Sequence, residues 1–167
     1  MTRASGGWKH PALMALAIVT GLLAGAFLGP RILQSPTARA EERWYESPRT
    51  EYRMTIERHC FCSGPSEFTV TVFGGQVTHV TVDGRTIPLK EAMQSGAAPT
   101  VDDLFMLVHE LVARHGAGAV HVTYDPEWGY PVTIETGGDA NTQDDELTLA
   151  VTSFEEGRYR KGHWVTY

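Results

Sequence analysis

The 167-residue chain is poor in cysteine: it has two, Cys60 and Cys62, two residues apart in His59-Cys60-Phe61-Cys62. So few exclude a multi-disulfide scaffold. With no second CxxC and no HxxxH, a tetrahedral zinc site lacks ligands. The first forty residues contain no Asp or Glu, and the rest contain no basic block, which removes the usual footprint for nucleic acid or anionic lipid. No Ser, His and carboxylate stand in a hydrolase motif, and no repeat recurs at solenoid spacing. After residue 28 there is no apolar run long enough to span a bilayer.

What is present begins at the N-terminus. Arg3 and Lys9 precede ALMALAIVTGLLAGAFL, residues 12–28, which is free of charge, and Ala38-Arg39-Ala40 stands before Glu41. A basic start, an apolar stretch and small residues at a cleavage position predict an export signal over residues 1–40. The apolar run of about 17 residues also reaches the lower limit for a spanning helix, so an uncleaved membrane anchor is the competing expectation. Either way the remainder is placed outside the cytoplasm, periplasmic or extracellular. The only expected membrane contact is through residues 12–28, if they are retained. The whole chain has 14 basic and 20 acidic residues. Without residues 1–40 the balance is 10 against 20, a strongly acidic domain.

Residues 41–49, EERWYESPR, read as a polar leader, and residues 50–154 as one domain. Tyr52, Met54 and Ile56 alternate with Arg53, Thr55 and Glu57, the period of a half-buried strand. Phe68, Val70 and Val72 continue the pattern after a Ser-Gly-Pro-Ser turn, and QVTHVTV follows Gly74-Gly75, so the strands predict an antiparallel meander. Residues 85–99 carry mixed signals and are expected to wrap the sheet edge. Thr100 caps a helix over about residues 100–115, with Asp102 and Asp103 in its first turn and Gly116 closing it. Leu104, Val108 and Leu111 recur at helical spacing. Val120–Tyr124, Tyr130–Ile134 and Leu147–Val151 supply further strands. The expected fold is α+β: a curved antiparallel sheet of about five to six strands packed on one main helix. Residues 155–167 are a basic aromatic tail or an added edge strand.

Three groups of residues are candidates for chemistry or binding. Cys60 and Cys62 share the even parity of the core-facing positions, whereas His59 has the opposite parity. Arg58 breaks the apolar alternation, and a bulge near it would turn the sulfurs outward. Two residues flanking one another in a strand have Cα atoms about 6.6 Å apart, so a Cys60–Cys62 bridge requires local bending and is more readily reduced than an ordinary structural disulfide. Two thiolates also suit monovalent copper, a weak metal candidate. Asp139, Asn141 and Asp144 lie in a loop with oxygen side chains at alternating positions, a second weak metal candidate. That loop lacks the Gly and the closing Glu of a calcium loop. Tyr124, Trp128 and Tyr130 surround a turn between two strands, either as hairpin packing or as an exposed contact surface. No cofactor is expected.

The CxC of Cys60 and Cys62, TVDDLF (Thr100 to Phe105), VTYDPEWGYP (Val122 to Pro131) and DDEL (Asp144 to Leu147) stand in an order that resembles the bacterial exported domain-of-unknown-function family 6174, over about residues 49–154. The resemblance implies a small secreted or membrane-tethered α+β domain and no established activity. This chain lacks the cysteine of lipid-anchored members. The leading expectation is a non-enzymatic envelope or secreted module that binds an envelope protein or a small ligand. The alternatives are a thiol-redox or metal-handling protein using Cys60 and Cys62, and an enzyme-inhibitor-like domain.

Overall fold

A computed structural model describes residues 35–60, 64–137, 146–160 and 163–166. All but Ser35 and Pro36 fall in a compact unit running from Thr37 to the C-terminus. The described elements are, in order, helix α1 (Pro36–Glu46), strands β1 (Tyr52–Cys60), β2 (Glu67–Phe73), β3 (Gln76–Val82) and β4 (Arg85–Ile87), helices α2 (Leu89–Gln94) and α3 (Val101–His115), and strands β5 (Val120–Tyr124), β6 (Pro131–Thr136), β7 (Leu147–Arg160) and β8 (His163–Thr166).

The fold is α+β with an open antiparallel sheet in the order β4-β3-β2-β1-β7-β6-β5, and β8 pairs with the far end of β7. That is seven to eight strands rather than five to six. The additions come from Arg85–Ile87, too short for periodicity to reveal, and from the C-terminal segment. There, residues 155–160 prolong β7 and residues 163–166 fold back on it as β8. The expected main helix is also joined by α1 and α2.

Strand parity explains the core. Met54 and Ile56 of β1, Val70 and Val72 of β2, Val80 of β3, Ile134 of β6, and Leu149 and Val151 of β7 are buried in one cluster with Leu104, Phe105, Val108 and Leu111 of α3. The start of α3 carries a full capping box. The Thr100 hydroxyl accepts from the Asp103 backbone N–H at 3.2 Å, and the Asp103 carboxylate accepts from the Thr100 backbone N–H at 2.8 Å. A third donor of the first turn, Val101 N–H, reaches the buried Tyr52 hydroxyl at 3.0 Å, so β1 satisfies the helix end it packs against. Burial raises the ionisation of that phenol far above the ordinary range.

One expectation needs correction, and one open alternative is decided. The segment 41–49 is not a polar leader, because Glu41–Glu46 completes α1, which starts at Pro36 and includes the expected cleavage residues. Ala40 and Trp44, one turn apart, are buried, and Trp44 stands edge-on to Tyr52 with ring centroids 5.9 Å apart. Of the two alternatives at Arg58, with and without a bulge, the pairing shows the one without, since Ile56 to Cys60 pair with Val151 to Leu147 in unbroken register. Residues Tyr52 to Glu57 pair with β2 without a break. The register shift falls between β1 and β7, where Thr55 faces Ser153 and Ile56 faces Val151, leaving Thr152 of β7 as the extra residue.

Candidate functional site

β1 keeps its phase to its last residue. His59 is exposed, whereas Arg58 and Cys60 lie on the face that carries the core, and Cys60 pairs with Leu147 at the start of β7. The two residues line a cleft of about 490 Å³ between α3 and the ends of β1, β6 and β7. One wall is the α3 apolar face, the buried Leu104 and Leu111 with the half-buried Leu107; the other is Leu147 and Leu149 of β7. Asp103 to His115 border the cleft, so it follows the helix for about 18 Å at 1.5 Å per residue.

An arginine stands at each end. Arg114 and His115 occupy the last turn of α3. At the other end the Arg58 guanidinium donates to the carbonyl oxygens of Pro65 at 3.1 Å and Ser95 at 3.3 Å, and lies 5.7 Å from the Phe68 ring centroid. Burial lowers its affinity for its proton. Carbonyls orient this charge without neutralising it. Among the described residues Arg58 forms no ion pair with a carboxylate. Gly64 is required for this arrangement, since it has φ +124° and a Cβ there would collide with the Arg58 guanidinium. Of the acidic residues bordering the cleft, Asp103 is engaged in the capping box and Glu146 is exposed.

The aromatic candidates do not form an exposed surface. Tyr130 is buried and stacks on Phe154 at 4.4 Å, and Trp128 meets the same Phe154 edge-on at 5.3 Å. Phe154 also touches Trp44 and Tyr52, so five rings converge and fasten α1 to the sheet. Trp128 is covered by the Arg49 guanidinium, 4.3 Å from its ring centroid and held by Glu156 at 2.8 Å. The Tyr124 hydroxyl donates to Thr37 Oγ1 at 2.7 Å, and its ring stacks on Phe105. The turn between them is fixed by Asp125, whose carboxylate accepts from the N–H groups of Glu127 and Trp128. These residues are spent on packing α1, which the sequence reading did not identify as part of the domain.

Cys62, Asp139, Asn141 and Asp144 lie outside the described residues. Among the described residues no cluster of three or more His, Cys, Asp or Glu could hold a metal ion, and no cysteine is free. The residues missed in the sequence are Arg58, Arg114 and His115. The signal for Arg58 was its place on an apolar parity.

A family model matches residues 37–156 of the chain. The chain belongs to the family of unknown function DUF6174. The matched span starts at the second residue of α1 and ends at Glu156, the residue of β7 that faces Tyr52. It therefore includes α1, in line with the burial of Trp44. No curated protein and no solved structure matches the chain significantly.

Proposed function

We propose that this protein is an exported, membrane-tethered, non-enzymatic binding module. It takes a small ligand with an apolar body and an anionic head into the cleft beside α3. The observation that carries this reading is the cleft itself: leucines on both walls, Arg58 at one end with no ion pair among the described residues, and Arg114 with His115 at the other. Such a groove rewards burial of hydrocarbon, and its cations favour a carboxylate or phosphate at the mouth. A non-catalytic role is supported by the engagement of its polar groups, since Asp103 caps a helix and Arg58 is held by carbonyls.

A dansyl-labelled fatty acid tests the reading, with full-length protein and unlabelled decanoic acid as competitor. Leu107→Trp, which fills the cleft, is expected to abolish the fluorescence gain. Arg114→Gln is expected to weaken binding about ten-fold, the loss of one charge-assisted hydrogen bond. Probe binding that ignores both substitutions, or no binding at all, refutes it.

Tethering is supported by the surroundings of Ala40. It is fully buried within α1, and its carbonyl packs against Gly129 so closely that a Cβ there would collide with it. Cleavage after Ala40 would open this helix, so the N-terminal segment is expected to stay attached. Mass mapping of the mature N-terminus decides, and a start at Glu41 would overturn the tether. A Cys60–Cys62 disulfide is the oxidation state we favour, since no cysteine among the described residues is free and the chain has only these two. Thiol titration of unreduced, unfolded protein should find none.

A further inference from the structure

The face of the sheet opposite the helices carries a pattern that neither the cleft nor the family explains. In successive registers Thr86 of β4 faces Thr81 of β3, Thr81 faces Thr69 of β2, Thr69 faces Thr55 of β1, and Thr55 faces Ser153 of β7. One continuous row of five hydroxyl side chains thus crosses five strands, about 19 Å at 4.8 Å per strand. Beside it runs a second row, His79, Thr71, Arg53 and Glu155. The two rows line a recess of about 310 Å³ built from strand residues alone, with Trp164 of β8 at its border.

Threonine is common on open strands for its β-branch alone, so the row by itself would mean little. Three observations set this recess apart. Its one cation and one carboxylate, Arg53 and Glu155, cancel each other in an ion pair at 2.7 Å, leaving a surface that hydrogen-bonds without attracting charge. Trp164 brings a large ring to its edge, held 5.4 Å from the Arg53 guanidinium. The Trp164 indole N–H is shut off from solvent and meets no acceptor among the described residues. An orphaned donor of this kind is costly, and a turn of the ring that opened it to an arriving hydroxyl would relieve it.

We propose that this face is a second binding surface, independent of the cleft, for a neutral oligosaccharide chain lying across the strands. Sugar hydroxyls both donate and accept, as the Thr and Ser row does, and the apolar face of a pyranose ring covers an indole. A charged polymer would have to break the Arg53–Glu155 pair, and an apolar peptide would strand the hydroxyls.

The test uses full-length protein in detergent, isothermal titration with chitohexaose and cellohexaose, and co-sedimentation with purified peptidoglycan sacculi; heparin fragments are the charged control. At least one neutral glycan is expected to bind. Trp164→Ala and the near-isosteric pair Thr69→Val and Thr81→Val are each expected to weaken it by about ten-fold or more. Unchanged melting temperature in the Val pair separates lost contacts from lost folding. Leu107→Trp, which fills the cleft, should leave glycan binding intact, so the two surfaces can fail separately. Binding to sacculi without binding to soluble hexasaccharides assigns the surface to a cell-wall chain; the reverse assigns it to a free oligosaccharide. No binding to any neutral glycan, a preference for heparin, or binding that survives both sets of substitutions overturns the proposal.

Discussion

Trp44→Ala is the decisive perturbation for whether α1 is part of the domain. Trp44 is 3 % exposed, its ring meets Tyr52 and Phe154 edge-on at 5.9 and 6.3 Å, and its indole N–H donates to Asp102 at 3.3 Å. Truncating a buried tryptophan to alanine costs about 3–5 kcal/mol, from lost transfer energy and the cavity left behind. The indole–Asp102 contact adds little, because the carboxylate on the first turn of α3 can return to water. A loss of about 4 kcal/mol is a large share of the 5–15 kcal/mol typical of a domain. With a urea slope of about 2 kcal/mol per molar, the midpoint falls by about 2 M. Urea titration followed by circular dichroism reads this without depending on the deleted fluorophore. If α1 were a leader lying loosely on the surface, the cost would be under about 1 kcal/mol and the midpoint would barely move. That result would refute the packing described here and restore cleavage after Ala40 as the simpler reading.

Gly129→Ala should destabilise by more than about 2 kcal/mol in thermal melts, because φ is +86° and the new Cβ meets the Ala40 carbonyl. Thr100→Ala removes the cap of α3 and should cost about 1 kcal/mol, with Thr100→Ser recovering most of it. Alkaline pH should unfold the domain. Burial raises the pKa of Tyr52, Tyr124 and Tyr130 above the ordinary 10. A raised folded pKa contributes stability that is present below pH 10 and lost as pH climbs through the folded value. The melting temperature should therefore hold to about pH 10 and fall beyond it, together with tyrosinate absorbance. A melting temperature flat to pH 12 would contradict the burial of these phenols.

Much of the fold was legible because it rests on short-range rules. The even parity of Tyr52, Met54 and Ile56 and the Thr100–Asp103 box each announce an element from a few adjacent residues. What was not legible depends on partners distant in sequence. EERWYE reads as polar because four of its six residues are charged. Only the presence of Tyr52, Phe154 and Asp102 around Trp44 turns it into a packed helix. The same aromatic convergence took Trp128 and Tyr130 away from the surface. Arg58 was visible as an irregularity that left a bulge open, and the unbroken register through it closes that alternative. A guanidinium can stay on a core-facing parity where backbone carbonyls receive it.

The bulges that do occur explain how one sheet keeps two distinct faces. With a period of two, Val151 and Phe154 could not both point toward the helices in a regular strand, since they are three positions apart. Thr152 is the extra residue that restores the phase, placing Ser153 in the hydroxyl row and Phe154 at the centre of the aromatic cluster. The pairing of β2 with β3 uses the same device. Thr71 faces His79 and Val72 faces Val77, so Thr78 is extra, and Val77 and Val80 both serve the core. A third register shift among the described residues, between β5 and β6, leaves Val132 as the extra residue; in the other two it is an exposed threonine whose hydroxyl donates across the ladder, Thr78 to the Thr71 carbonyl at 3.2 Å and Thr152 to the Thr55 carbonyl at 3.5 Å. Both threonine bulges lie beside the polar recess, and each re-phases a strand so that apolar residues go to the helices and hydroxyls to the open face. A sheet held only by core packing would need just the first of those two outcomes; the continuous hydroxyl row requires both.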